Sequence, residues 1–223
     1  IPAIAIPDPI LNGDTGNWLT GENFASEAAV GDVLYCLAPT YMVLHIYDTT
    51  TDTDTEISAL ILTEEKDGVQ YGRVPISLVS DGQELYAVMG TYRYREDEAS
   101  ILEDLGFYRL IVGETLADEL ICNLNLGQSV LDQDAINDQI GNPVYQNGMF
   151  LFTVPPESTA FEVLPDILYA LDTASGDLKV LTADYIIGKI SAYENGKFLV
   201  FCSHIEYDES GEPIGEYDLY TLD

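Results

Sequence analysis

The side chains with the widest chemical repertoire fall in a few short stretches of this 223-residue chain. His204, Glu206, Asp208, Glu212 and Glu216 place an imidazole among carboxylates, a set that can hold a metal ion or pass a proton near neutral pH. Tyr92, Arg93, Tyr94 and Arg95 carry two of the eight basic residues. On a strand their alternation sets rings on one face and guanidiniums on the other, a surface suited to recognition. The plainer reading pairs these cations with Glu96, Asp97, Glu98, Glu103 or Asp104 across strands. Asp132, Asp134, Asn137 and Asp138 are oxygen donors of the kind calcium prefers, although the order of an EF-hand loop is absent. A solvated acidic loop is the plainer reading there, and the Asp48, Asp52, Asp54 and Glu56 run reads as a polar turn.

No catalytic residue can be nominated. The only other imidazole, His45, sits where sister segments carry an aromatic ring and is expected to be packed structurally. Gly-x-Ser-x-Gly and glycine-rich phosphate loops are missing, and no Ser can be matched to a base. Paired carboxylates would suit a glycosidase, but 39 Asp and Glu make some pairing inevitable. Cys36, Cys122 and Cys202 cannot all pair within one chain, and no Cys-x-x-Cys occurs, which argues against a disulfide framework or a thiolate zinc site.

A net charge of −31 opposes nucleic-acid backbones and anionic lipid. Cations, basic proteins and neutral glycans stay open as partners, with solubility in a salt-rich or acidic habitat the plainer meaning of the charge. No apolar run approaches the roughly 18 residues of a membrane span. Residues 1–6 are too short and too interrupted by proline for a signal sequence, so a trimmed mature chain or a fragment is expected.

The elements that must position these residues are repeated. Gly31-Asp32, Asp81-Gly82, Asn147-Gly148 and Asn195-Gly196 each lead into a strand ending in an aromatic, and Asp-Gly and Asn-Gly are the strongest short hairpin signals. A second strand follows each time: Leu44 to Asp48, Phe107 to Ile111, Leu168 to Asp172 and Leu219 to Asp223. A further strand follows three of them, at 57–62, 119–124 and 178–181. The unit is a four-stranded antiparallel meander, strands a to d, written four times at about 23–64, 73–126, 142–182 and 188–223. The expected fold is an all-β propeller of about four four-stranded blades in one domain, 1–223, either a closed ring or part of a larger one. In a closed ring residues 1–6 would supply the outer strand that the last unit lacks; in a larger one the chain would continue beyond it.

Leu168-Tyr169-Ala170-Leu171-Asp172, followed by Ser175-Gly176, resembles the repeat of bacterial quinoprotein-type (PQQ-like) and related propellers. Val180 and Leu181 stand where that repeat carries a closing Trp. The resemblance implies the fold and not quinone-dependent oxidation.

In such a meander the a–b and c–d turns are short, while the b–c and d–a connections are long and variable. Variable loops on a rigid scaffold are where binding resides. The chain is therefore expected to be a non-catalytic binding or scaffold module of a secreted or cell-surface bacterial protein. Its protein or glycan ligand would be engaged through the b–c and d–a loop face. Tyr92, Arg93, Tyr94, Arg95, His204 and Glu206 are the candidate ligand-binding residues, and Asp132, Asp134 and Asp138 the candidate calcium ligands. The alternative is a carboxylate-dependent glycan hydrolase or lyase on the same scaffold.

Overall fold

The computed structural model describes residues 26–38, 42–66, 68–94, 100–126, 140–154, 165–204, 206–207, 213–214 and 217–222. Among them the regular structure is β apart from one 3-10 turn, and every strand pair is antiparallel, in agreement with the all-β expectation. No helix among the described residues is long and apolar enough to cross a membrane. Two compact units divide the chain, residues 1–124 and 125–223.

The first unit holds two sheets. Strands β1 (Ser26–Val30), β2 (Val33–Ala38), β3 (Val43–Asp48) and β4 (Thr53–Ser58) form a meander in that order. Gly31 turns β1 into β2 with φ at 57°, in the left-handed region that glycine enters without steric cost. Strands β5 (Ile61–Lys66), β6 (Val69–Ser80), β7 (Leu85–Tyr94), β8 (Ile101–Val112) and β9 (Leu116–Asn123) form the second meander. The strand expected at 57–62 is thus two strands, with Ala59 and Leu60 passing between sheets. Leu37 and Leu44 of the first sheet share a core with Leu78, Ala87, Met89, Tyr108 and Leu110 of the second. Ser26 Oγ stitches the sheets by donating to Leu78 O and accepting from Leu78 N at 2.8 Å. Inside the second sheet, Arg73 donates to Asp118 (Nη2 to Oδ1, 2.8 Å) with its guanidinium 5.4 Å from the Tyr108 ring centre.

The second unit is one six-stranded sheet and a small ribbon. Strands β10 (Gly141–Gln146), β11 (Met149–Val154), β12 (Asp166–Asp172), β13 (Asp177–Ala192), β14 (Phe198–His204) and β17 (Tyr217–Leu222) follow one another across it, and β15 (Glu206–Tyr207) pairs with β16 (Pro213–Ile214). Asn147 and Gly148, at φ 51° and 80°, make a two-residue turn between β10 and β11. The expected break between the third and fourth repeats is absent. Strand β13 pairs with β12 through its first half and with β14 through its second, Tyr185 facing both Asp166 and His204. Residues 183–187 contain no Gly, Pro or Asn to end the strand, and a register shift between Ile187 and Lys189 lets it bend instead. The sheet folds back so that Leu151, Leu168 and Ala170 meet Ile187, Ile190 and Val200 in one core. Gln146 Nε2 closes the fold by donating to Tyr193 O and Lys197 O.

The described residues therefore contain the four hairpin repeats in three large sheets and a ribbon. The expected outer strand at residues 1–6 lies outside the described residues.

Candidate functional site

Short polar side chains build the turns that hold the strands in register. Asp48, at the end of β3, accepts hydrogen bonds from Thr50 N (2.8 Å), Thr50 Oγ1 (2.6 Å) and Thr51 N. Asp172 does the same at the end of β12, accepting from Ala174 N (2.9 Å) and Ser175 N (3.3 Å). These bonds stabilise the ionised form. Both carboxyls are held below the usual range, Asp48 chiefly by Thr50 and Asp172 by the Ala174 and Ser175 amides. The next residue is threonine in both repeats. Thr49 donates N and Oγ1 to Asp32 O, and Thr173 donates N and Oγ1 to Gly148 O. Each Asp-Thr pair thus shapes one turn and clips it to the a–b turn beside it.

In the first repeat this frame aligns a row of ionisable groups. Cys36 on β2 faces His45 on β3, which faces Glu56 on β4, and Tyr47 faces Asp54. His45 is buried, and its Nδ1 lies 3.5 Å from Glu56 Oε1. His45, Asp54 and Glu56 can each offer one ligand atom with all three within 4.8 Å of one another. Asp54 Oδ1 is buried and accepts no hydrogen bond. Burial, partly countered by His45 and reinforced by Glu56, raises the Asp54 carboxyl above its ordinary range. The Cys36 thiol is pushed up to about 12 by burial and then by Glu27 and Asp54, so it carries its proton at neutral pH. Beside this row Tyr47 donates to Asp52, and that bond, with burial, lifts the phenol to about 12.

The sequence by itself reads His45 as packing and the 48–56 run as a turn. The signal for their meeting was present: with Asp48 facing Thr53, counting three residues back along β3 and three forward along β4 pairs His45 with Glu56.

The residues singled out from the sequence are dispersed. Tyr92 and Tyr94 project from one face of β7 with ring centres 6.3 Å apart, as the alternation predicts. Burial, then Tyr94, pushes the Tyr92 phenol up to about 12. Arg93 Nε lies 2.6 Å from Glu103 Oε1, an ion pair without hydrogen-bond geometry. Arg109 binds both Glu84 (2.9 Å) and Glu119. The backbones of His204 and Glu206 lie in β14 and β15. Arg95, Asp132, Asp134 and Asp138 lie outside the described residues.

Two hollows accompany these groups. In the second unit an apolar one of about 210 Å³ is lined by Leu168, Leu181, Tyr185, Val200, Cys202 and Tyr220, with the Tyr185 and Tyr220 rings edge to face at 5.9 Å. In the first unit one of about 390 Å³ is bordered by Tyr35, Gln83, Glu84 and Arg109, so its carboxylate is already ion-paired.

No protein-family model and no curated protein matches the sequence. Among solved structures, a luciferin-regenerating enzyme aligns with a TM-score of 0.42 at 10% identity, over 89% of this chain and 61% of its own. An oligogalacturonate lyase in complex with manganese aligns with a TM-score of 0.42 at 11% identity, over 83% of this chain and 51% of its own. The β-propeller domain of Myceliophteria thermophila Cps50 (Swd1) aligns with a TM-score of 0.35 at 11% identity, over 90% and 73%. The chain thus spans between half and two thirds of the length of the first two. At these scores the likenesses establish no common arrangement of sheets and no common activity.

Proposed function

We propose that this chain is a non-catalytic binding or scaffold module of the β-propeller type, belonging to a secreted or cell-surface bacterial protein. One observation carries the reading: the two ends of the meanders are built differently. At one end the strands are joined by 31–32, 49–52, 81–84, 113–115, 147–148, 173–176 and 193–197, all short. At the other, 39–42, 59–60 and 67–68 are short as well, but 95–100, 124–140, 155–165 and 205–216 are longer and have room to vary without disturbing the sheets. The protein or glycan ligand sits on this b–c and d–a loop face, with Tyr92, Arg93, Tyr94, Arg95, His204 and Glu206 as contacts. Calcium held by Asp132, Asp134 and Asp138 would order the longest of these connections.

Retention on immobilised neutral polysaccharides and on basic proteins tests the reading. Binding without release of reducing ends or unsaturated sugars is expected, and a Gly-Ser replacement of residues 127–139 should abolish it while far-ultraviolet dichroism stays unchanged. Sugar release would favour the carboxylate-dependent hydrolase or lyase. Absence of binding to every probe would remove the proposal.

In this reading the four repeats are blades, either closed into a ring by residues 1–6 adding to β17 or part of a larger propeller. Leu219 and Tyr220 of that strand are exposed, and β17 ends its sheet among the described residues. Deleting residues 1–6 should lower the melting temperature and promote association. An unchanged melting temperature would exclude this closure.

A further inference from the structure

We infer that His45, Asp54 and Glu56 bind a divalent first-row metal ion of the zinc class on the first sheet. Their ligand atoms lie within 4.8 Å of one another, a span that one ion with bonds of about 2 Å gathers through small side-chain rotations. His45 Nδ1 and Glu56 Oε1 are 3.5 Å apart, long for a charge-assisted hydrogen bond. It matches the roughly 3.4 Å that separates two ligands of a tetrahedral ion with such bonds.

A second observation points to a ligand. Asp54 Oδ1 is buried without a hydrogen-bond partner, beside a second carboxylate, in a protein with 8 Lys and Arg against 39 Asp and Glu. A cation between Asp54, Glu56 and the imidazole satisfies that oxygen and removes the repulsion between the carboxylates.

The scaffold itself does not call for these residues. Aligned on the Asp-Thr clips, the third repeat has Phe152, Tyr169, Leu178 and Val180 where the first has Cys36, His45, Asp54 and Glu56. Tyr108 and Tyr220 likewise hold the His45 position in the other two repeats. One repeat has exchanged an aromatic and aliphatic row for a nitrogen and oxygen donor set.

The donor set selects the ion. Imidazole with two carboxylates suits zinc and its first-row neighbours, whereas calcium takes six to eight oxygens. Three protein ligands leave a fourth tetrahedral position to water.

Zinc competition against a chromophoric chelator, using the full chain, tests the assignment. One zinc per chain is expected, undisturbed by a hundredfold excess of calcium. Glu56→Gln and Asp54→Asn should each weaken zinc at least tenfold. Glu114→Gln, which removes an exposed acid from the turn between β8 and β9, should leave affinity unchanged. With only two histidines, imidazole NMR reads the ligand directly: the His45 signals should move on zinc addition. Wild-type affinity in Glu56→Gln, equal weakening by Glu114→Gln, or His45 signals that stay in place would each overturn the site. Glu56 is largely exposed, so its variant carries the test if Asp54→Asn perturbs folding.

Discussion

In the first repeat Asp48 and Thr49 clip two turns together as Asp172 and Thr173 do in the third, yet the rows of side chains they align are chemical opposites. Phe150, Phe152 and Tyr169 stack at 4.9 and 5.3 Å, with Leu171 fully buried beside them. The corresponding row of the first repeat sets a thiol, an imidazole and two carboxylates side by side. The frame depends on backbone amides and short polar side chains in the turns, so the face between the turns is free to diverge. One repeat spends that freedom on apolar burial, the other on ligand chemistry.

The sharpest way to break this contrast is at the paired positions Phe152 and Cys36, both almost fully buried. Phe152→Ala should cost about 3–5 kcal/mol, because it removes a stacked ring and leaves a cavity. Cys36→Ala should cost about 1 kcal/mol, the scale of one small buried group. Equal shifts of the urea midpoint would show that the two rows are energetically alike.

Giving the first repeat the residue of the third comes next. Asp54→Leu removes a buried carboxylate oxygen that has no hydrogen-bond partner and should raise metal-free stability by about 1 kcal/mol, near the low end for such groups since the side chain is only partly buried. It should also abolish any stabilisation by zinc. A loss of metal-free stability would mean that the row is held by its charges.

Smaller effects separate the clips. Thr173→Val deletes a half-buried bond to Gly148 O and should cost about 1 kcal/mol, whereas Thr49→Val deletes an exposed one and should cost a few tenths. The reverse order, measured by chemical denaturation, would contradict the burial argument.

The smallest expected signal is in the pH dependence, where the sign separates the two rows. Asp48 and Asp172 have folded pKa values below the unfolded value, so their contribution is present above the ordinary carboxylate range and is lost as pH falls through the folded pKa. Asp54 is shifted the other way. Its contribution is present below the unfolded pKa and is lost as pH rises through the raised folded value. Asp172→Asn should flatten the acid side of the stability profile, and Asp54→Asn the decline above it. Unfolding midpoints between about pH 3 and 7 would show both slopes, or refute them by staying parallel to wild type.

What could be read from the sequence alone is what neighbouring residues decide among themselves. Asn147-Gly148 and Gly31-Asp32 turn where expected because a left-handed φ is a local demand that those residues meet. Alternation along 168–172 yields β12, and the Tyr92 and Tyr94 rings share a face because strand side chains alternate. Asp172 and Gly176 serve the turn for the same local reason.

Tertiary structure alone decided where one sheet stops. Residues 178–181 and 188–192 look like separate strands of separate units, but with no Gly, Pro or Asn between them the chain bends and continues. Ala59 and Leu60 do the opposite, passing between sheets within what reads as one apolar strand. Pairing across the β3–β4 hairpin set His45 against Glu56, but burial rather than spacing made the meeting chemical. Asp54 Oδ1 is buried without a hydrogen-bond partner, and no local pattern reports that burial.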